Sequence, residues 1–344
     1  MSELPGRPAS SSLPYVPLGF VMNLNESAVQ SRLPSRLTRR RALETMAGAG
    51  VSLLAAKLGR AAVALPKPET IDPHSHIWTR DVKRFPLTKG SELEDLDPPS
   101  FTVAELKRVM GQHDVSRAVL IQHHIYHGYD NSYLLDAARR FPQTFRVVGM
   151  LDDLQPDPAT RMRHLLKAQV TGFRITSWIR KKKWLTGPGM ESMWKCAAET
   201  GQAICCLMDP PDLPSLGAMC WRHPGTPVVI DHFARIGVDG QIRDADVTQL
   251  CRLARHKNTH VKISAYYALG AKKAPYLDLL PMIRRVLDSY GPSRCMWASD
   301  SPYQLQGGHT YGSSLALVTR HCDFLSVGDR AQILGKTAEK VYFA

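Results

Sequence analysis

The chain has 344 residues, 44% of them hydrophobic and 22% charged, with a formal net charge of +13. That balance excludes a disordered or fibrous protein and supplies enough apolar side chain for a sizeable core. The excess of positive charge raises the question of a polyanionic partner. No basic helix interleaved with aromatics and no nucleic-acid motif occurs, so nucleic acid is not expected.

The first segment reads as an address label. Thr38-Arg39-Arg40-Arg41 precedes a mildly apolar stretch rich in small residues, and Ala62-Val63-Ala64 has the small-x-small form of a cleavage site. A paired arginine before a weakly hydrophobic core is similar to a twin-arginine export signal, which predicts a leader over residues 1–64 and a periplasmic or extracytoplasmic mature protein. The apolar part is too short to span a bilayer, so no stable membrane anchor is expected after processing. Met22 is an alternative start. Seven cysteines, an odd number without a C-x-x-C pair, point to buried thiols rather than to a zinc or disulfide framework.

Residues 65–344 then alternate between strand-like and helix-like runs. The first strand, over residues 70–78, contains Asp72-Pro73-His74-Ser75-His76. Side chains two apart share a strand face, so His74 and His76 converge on one point, as a divalent-metal site requires. A helix is predicted over 103–113 and a second strand over 117–122, running into Gln122-His123-His124. Further strands follow at 145–151, 172–177, 203–208, 227–231, 260–265 and 294–299. Helices are expected between them at 131–140, 158–169, 189–200, 212–222, 244–257 and 276–290, with two more at 313–324 and 328–342. Arg180-Lys181-Lys182-Lys183 reads as a solvated loop.

Eight strands alternating with helices over this length predict an α/β fold, a single (β/α)8 TIM barrel. An open doubly wound sheet is the alternative, but a glycine-rich turn is missing after the first strand. A barrel puts its reactive groups at the C-terminal ends of the strands. Those ends carry His74 and His76, His124, Arg174, Asp231-His232 with Arg235, Lys262 with the Tyr266-Tyr267 pair, and Asp300.

The motifs Asp72-x-His74-x-His76, Asp231-His232 and Trp297-Ala298-Ser299-Asp300-x-Pro302 together resemble the amidohydrolase superfamily, in its lactonase and decarboxylase branch. Tyr129-Asp130-Asn131-Ser132-Tyr133-Leu134-Leu135 and Ile333-Leu334-Gly335-Lys336-Thr337-Ala338 are similar to further segments of that branch, so the resemblance covers about residues 70–344. It implies His74, His76 and Asp300 as ligands of one divalent ion, zinc or alternatively manganese, with His232 as a further ligand or as the group holding the substrate carbonyl. It also implies Asp300 as the base that takes a proton from the attacking water. The fifth strand, Ile204-Cys205-Cys206-Leu207-Met208-Asp209, lacks the histidine of metal-loaded relatives, and Arg174 stands where two-metal members carry a lysine. A binuclear centre is therefore not expected, and a metal-free site with Asp300 as base is the competing arrangement.

Arg174, Arg235 and Lys262 offer positive charge to a substrate carboxylate or oxyanion, or else pair with nearby acids. His124 and Tyr266 are candidate pocket residues; at most one tyrosine of the 266–267 pair can point inward. These readings predict a hydrolase that opens a lactone or related ester of a small carboxylated or sugar-like molecule. A non-oxidative decarboxylase and a non-catalytic binding protein on the same barrel are the alternatives. A small molecule is the expected partner, and the sequence is equally compatible with a monomer or a homo-oligomer.

Overall fold

A computed structural model describes residues 69–180 and 183–344. The leader predicted over residues 1–64 lies outside the described residues, as do Lys181 and Lys182. Eight strands occur where the apolar runs predict them: β1 (Thr70–Ser75), β2 (Val115–Ile121), β3 (Phe145–Gly149), β4 (Val170–Thr176), β5 (Ala203–Leu207), β6 (Val228–Ile230), β7 (Thr259–Ser264) and β8 (Cys295–Ala298). Each pairs in parallel with the next, in the order β1 to β8. The ring is completed at its mouth, where Asp300 N donates to His74 O at 2.9 Å and His76 N to Ser301 O at 2.7 Å. This is a (β/α)8 barrel; an open sheet would leave β1 and β8 unpaired.

Helices connect the strands because their apolar positions recur at helical spacing, and the first is also capped. In α1 (Val103–Gln112) the Thr102 side chain accepts from Glu105 N, while Glu105 accepts from Thr102 N at 2.6 Å. The segment Tyr129 to Leu135 runs into the helix Ser132–Arg140. Asn131 there imitates a strand partner, accepting from Met150 N at 2.8 Å and donating to Met150 O at 2.9 Å. Among the described residues, no helix is long and apolar enough to cross a membrane.

Inward-facing residues form layers. Ile71, Val119, Ile121, Val148, Ala203, Cys205, Val229 and Met296 fill the lower barrel, and Tyr342 of the last helix (Thr337–Tyr342) plugs it from below. Gly335 lets that C-terminal segment reach the start of β1, since a Cβ there would stand 2.1 Å from Glu69 O. Above the apolar floor the layers turn polar: Arg174 on β4, Asp231 at the tip of β6, Lys262 and Ser264 on β7. Alternation along each strand thus carries the barrel from a dry base to a reactive rim.

Candidate active site

Four side chains meet at that rim. The Asp300 carboxylate lies 3.4 Å from Nε2 of both His74 and His76 through Oδ1, and 3.6 Å from His232 Nε2 through Oδ2. Tyr267 donates to Asp300 Oδ2 at 2.7 Å. His76 is oriented by Ile121 O, 2.8 Å from its Nδ1. A carbonyl only accepts, so Nδ1 carries a proton there and Nε2 is turned to the site. His232 Nδ1 lies 2.8 Å from Ser264 Oγ on the neighbouring strand. His232 and Asp300 take left-handed backbone angles, φ 52° and φ 60°, which swing their side chains off the strand direction and over the mouth.

Burial dominates the electrostatics. It pushes the His232 imidazolium down, against a smaller pull from Asp300 and Asp231. It raises the Asp300 carboxyl as well, but His232, His76 and His74 outweigh it and hold Asp300 well below the ordinary carboxylate range. His74 is held well below the usual imidazole range by burial and by Lys262. One layer down, Asp231 stays ionised because Lys262, His74 and Arg174 overcome its burial. Lys262 Nζ is 3.1 Å from Asp231 Oδ1, and Arg174 Nε 3.5 Å from Oδ2.

Asp72 is placed beside this cluster and is not part of it. It is fully buried and accepts from Ser299 N (2.9 Å), Ser299 Oγ (2.5 Å), Ser75 Oγ (2.9 Å), Tyr311 OH (2.9 Å) and His74 N (3.2 Å). These bonds tie β1 to β8 and so fix where His74 and Asp300 stand. The acid of the Asp-x-His-x-His motif is a strap.

A cavity of about 230 Å³ opens above Asp300, with His76, His124, Arg174, His232, Arg235 and Tyr267 in its wall. His124, Arg174 and Arg235 therefore line the pocket. Arg235 also pairs with Asp209 at 2.5 Å and stacks over Trp178 at 4.4 Å. Burial, then Arg174, lowers His124 to about 4. One expectation fails, and a second candidate takes its structural alternative. Tyr266 is fully buried, donates to Ile263 O at 2.6 Å and packs against Tyr276; Tyr267 takes the inward position. Lys262 is also fully buried and outside the pocket wall, so its charge meets Asp231 and His74 rather than a substrate. Cys205 and Cys206 lie in the core, and burial raises the Cys205 thiol to about 11, which leaves a neutral packing group. Sequence reasoning missed Tyr303, whose hydroxyl lies 2.5 Å from His123 Nε2 in the pocket wall.

His74, His232 and Asp300 each place a donor atom within 4.8 Å of the others, a candidate His/His/Asp metal site with His76 beside it. His74 Nε2 is buried and has no hydrogen-bond partner, so the cluster is unsatisfied as it stands. Imidazole nitrogen with carboxylate oxygen is donor chemistry that zinc accepts.

The comparisons agree with this architecture. A family model described as amidohydrolase matches residues 71–344. An L-fucono-1,5-lactonase of Burkholderia ambifaria is 31% identical over 283 residues, covering 79% of this chain and 94% of that protein. Two crystal structures share the fold. A probable 2-pyrone-4,6-dicarboxylic acid hydrolase of Acinetobacter baumannii with citric acid bound superimposes with a TM-score of 0.69 at 19% identity, covering 80% of this chain and 100% of that one. An amidohydrolase of Burkholderia multivorans with bound zinc gives 0.66 at 22% identity, covering 80% and 99%. The chain belongs to the amidohydrolase family and is an enzyme of amidohydrolase type.

Proposed function

We propose that this enzyme is a lactonase that hydrolyses the internal ester of a small, sugar-like or carboxylated ring. The observation that carries the reading is the convergence of three imidazole Nε2 atoms on one carboxylate at the floor of a pocket sized for a small ring. The likeness to an L-fucono-1,5-lactonase supports a sugar lactone. Arg174 and Arg235 supply the positive charge that a carboxylate substituent or an oxyanion needs.

Asp300 is the base in this reading. Its ionised carboxylate takes a proton from water as the water oxygen bonds to the lactone carbonyl carbon. Arg174 faces the oxygen on which negative charge develops. The ring C–O bond then breaks, and Asp300 returns its proton to the departing alkoxide, leaving a hydroxy acid. Tyr267 holds the carboxylate in register throughout. A divalent ion held among His76, His232, Asp300 and His74, zinc with manganese as the alternative, supplies positive charge that polarises the carbonyl and acidifies water. The carboxylate and imidazoles also suffice in outline for the same reaction without an ion.

The test is a panel of aldono-1,5-lactones and carboxylated lactones, followed by acid release and product mass. Gain of one water with no carbon dioxide is expected. Carbon dioxide release would replace this reading with decarboxylation. Metal analysis of protein purified without chelator, expected near one equivalent, tests the ion. We further infer export from the arginine motif; changing Arg39, Arg40 and Arg41 to Lys should hold the chain in the cytoplasm, and unchanged secretion would refute that.

A further inference from the structure

Two arginines stand in the pocket wall, and they keep different company. Arg174 on β4 is buried, and its Nε has no hydrogen-bond partner. Asp231 lies 3.5 Å from that Nε, but Lys262 shares the same carboxylate at 3.1 Å. Two cations on one anion leave a net positive charge on this side of the pocket. Arg235 is already paired. Its Nη1 donates to Asp209 Oδ1 at 2.5 Å, and its guanidinium lies 4.4 Å from the centre of the Trp178 ring. Asp209 Oδ2 in turn accepts from Trp178 Nε1 at 3.1 Å.

The three side chains therefore close on one another: an indole just past β4, an acid just past β5 and a guanidinium just past β6. Asp209 stays out of the pocket wall while both of its partners line it. Trp178 is 41% exposed, so its place at the mouth is held by the bond to Asp209 and the stacked cation rather than by burial. The rest of that side is apolar: Leu207 at the end of β5, Val238 beyond β6, and Ala268 and Leu269 beyond β7. These strands are neighbours in the ring, so the four residues form one side of the mouth. A carboxylate placed there would give up its water to meet a cation whose charge is already cancelled. An uncharged, apolar substituent gains by the same move.

We propose that Asp209 is a specificity-determining residue: by cancelling the charge of Arg235 and fixing Trp178, it makes the pocket select uncharged lactones with an apolar substituent over carboxylated ones. The proposal rests on the lactonase reading and narrows it from sugar-like or carboxylated rings to uncharged ones. Arg174 keeps its charge for the oxygen that turns negative in the reaction, which every lactone develops. Asp209 works by exclusion, since a free Arg235 would offer a substrate carboxylate a charged fork of N–H donors.

The test uses the full chain and two six-membered lactones that differ in one group. One bears a methyl and the other a carboxylate on the ring carbon beside the ring oxygen. Wild-type kcat/KM should favour the methyl lactone by about 10-fold; equal values or the reverse order overturn the proposal. Asp209→Asn removes the charge while its oxygen can still accept from Trp178 Nε1. The ratio should then shift toward the carboxylate by at least ~10-fold, chiefly through a lower KM, and an unshifted ratio refutes the role of Asp209. Asp209→Glu keeps the charge and should keep the wild-type preference. A shift as large as that of asparagine would point to altered shape and sink the charge argument. Calorimetric titration with tetrahydropyran-2-carboxylate and its amide, neither of which can be opened, repeats the comparison without turnover. Asp209→Asn should tighten the carboxylate relative to the amide by at least ~10-fold, and no tightening overturns the proposal. If neither lactone is opened, the functional reading fails, and the binding ratio still decides Asp209.

Discussion

Asp72 is the group whose removal the structure makes easiest to quantify. Asp72→Ala deletes an acceptor that serves five donors in a dry layer between β1 and β8. Not all five are stranded. Ser75 Oγ and Ser299 Oγ are already 3.2 Å apart and can bond to each other. His74 N, Ser299 N and Tyr311 OH are left, and each buried unpaired donor costs ~1–3 kcal/mol. The three together cost about 3–9 kcal/mol, a large part of the stability of a typical domain. Asp72→Asn separates geometry from charge. Its remaining oxygen can keep Oδ1's place, where both backbone amides donate, and two of the three hydroxyls at Oδ2 can rotate to accept from the two N–H groups of the new amide. A loss of only ~1 kcal/mol is expected for Asn. Urea denaturation followed by tryptophan fluorescence reads both values. Alanine costing under ~1 kcal/mol, or asparagine costing as much as alanine, would refute the strap.

The other expectations concern the rim. Asp300→Asn should lower kcat by at least ~10³-fold through loss of the base while the fold survives, since asparagine tolerates φ 60°; retained turnover would remove Asp300 from the chemistry. Tyr267→Phe deletes the 2.7 Å bond to Asp300 and should lower kcat by about 10-fold with an unchanged melting temperature, and an unaltered kcat would contradict that role. His123 and His124 are both depressed by burial, His124 to about 4, against an ordinary value of 6.5. The native state then binds fewer protons than the unfolded chain, so their stabilisation is complete above pH 6.5 and is lost as pH falls toward 4. Thermal melts between about pH 8 and pH 4 should show that decline, and a flat profile would argue against neutral buried imidazoles.

Much of the barrel was legible because its signals are local. Even β6, three residues long, announces itself as Val228-Val229-Ile230 between a proline and an acid. The last two helices looked continuous, yet each contains a π-helical stretch, Leu317–His321 and Gln332–Lys336, since a widened turn barely disturbs apolar spacing. His74, His76 and Asp300 stood out because metal-binding and basic chemistry fell at strand ends. Lys262 stood out for its charge, but whether that charge meets a substrate or an acid depends on which layer of the barrel it occupies, and depth inside a closed sheet is set by register with β6 and β8.

The Tyr266-Tyr267 pair shows the remaining obstacle. Lys262 and Ser264 point inward, so strict alternation would send Tyr266 inward next. Ala265 takes φ 58°, which breaks the parity and delivers Tyr267 to Asp300 instead. His232 and Asp300 share that left-handed backbone at the ends of β6 and β8. For residues other than glycine it costs about 1 kcal/mol or more each, and no residue pattern in these segments announces it. At the Asp300 position the cost is offset by the bonds that close the ring, Asp300 N to His74 O among them. The active rim is thus placed by the departures from strand geometry that local reasoning cannot see, while the residue types that occupy it are the part that local reasoning reads well.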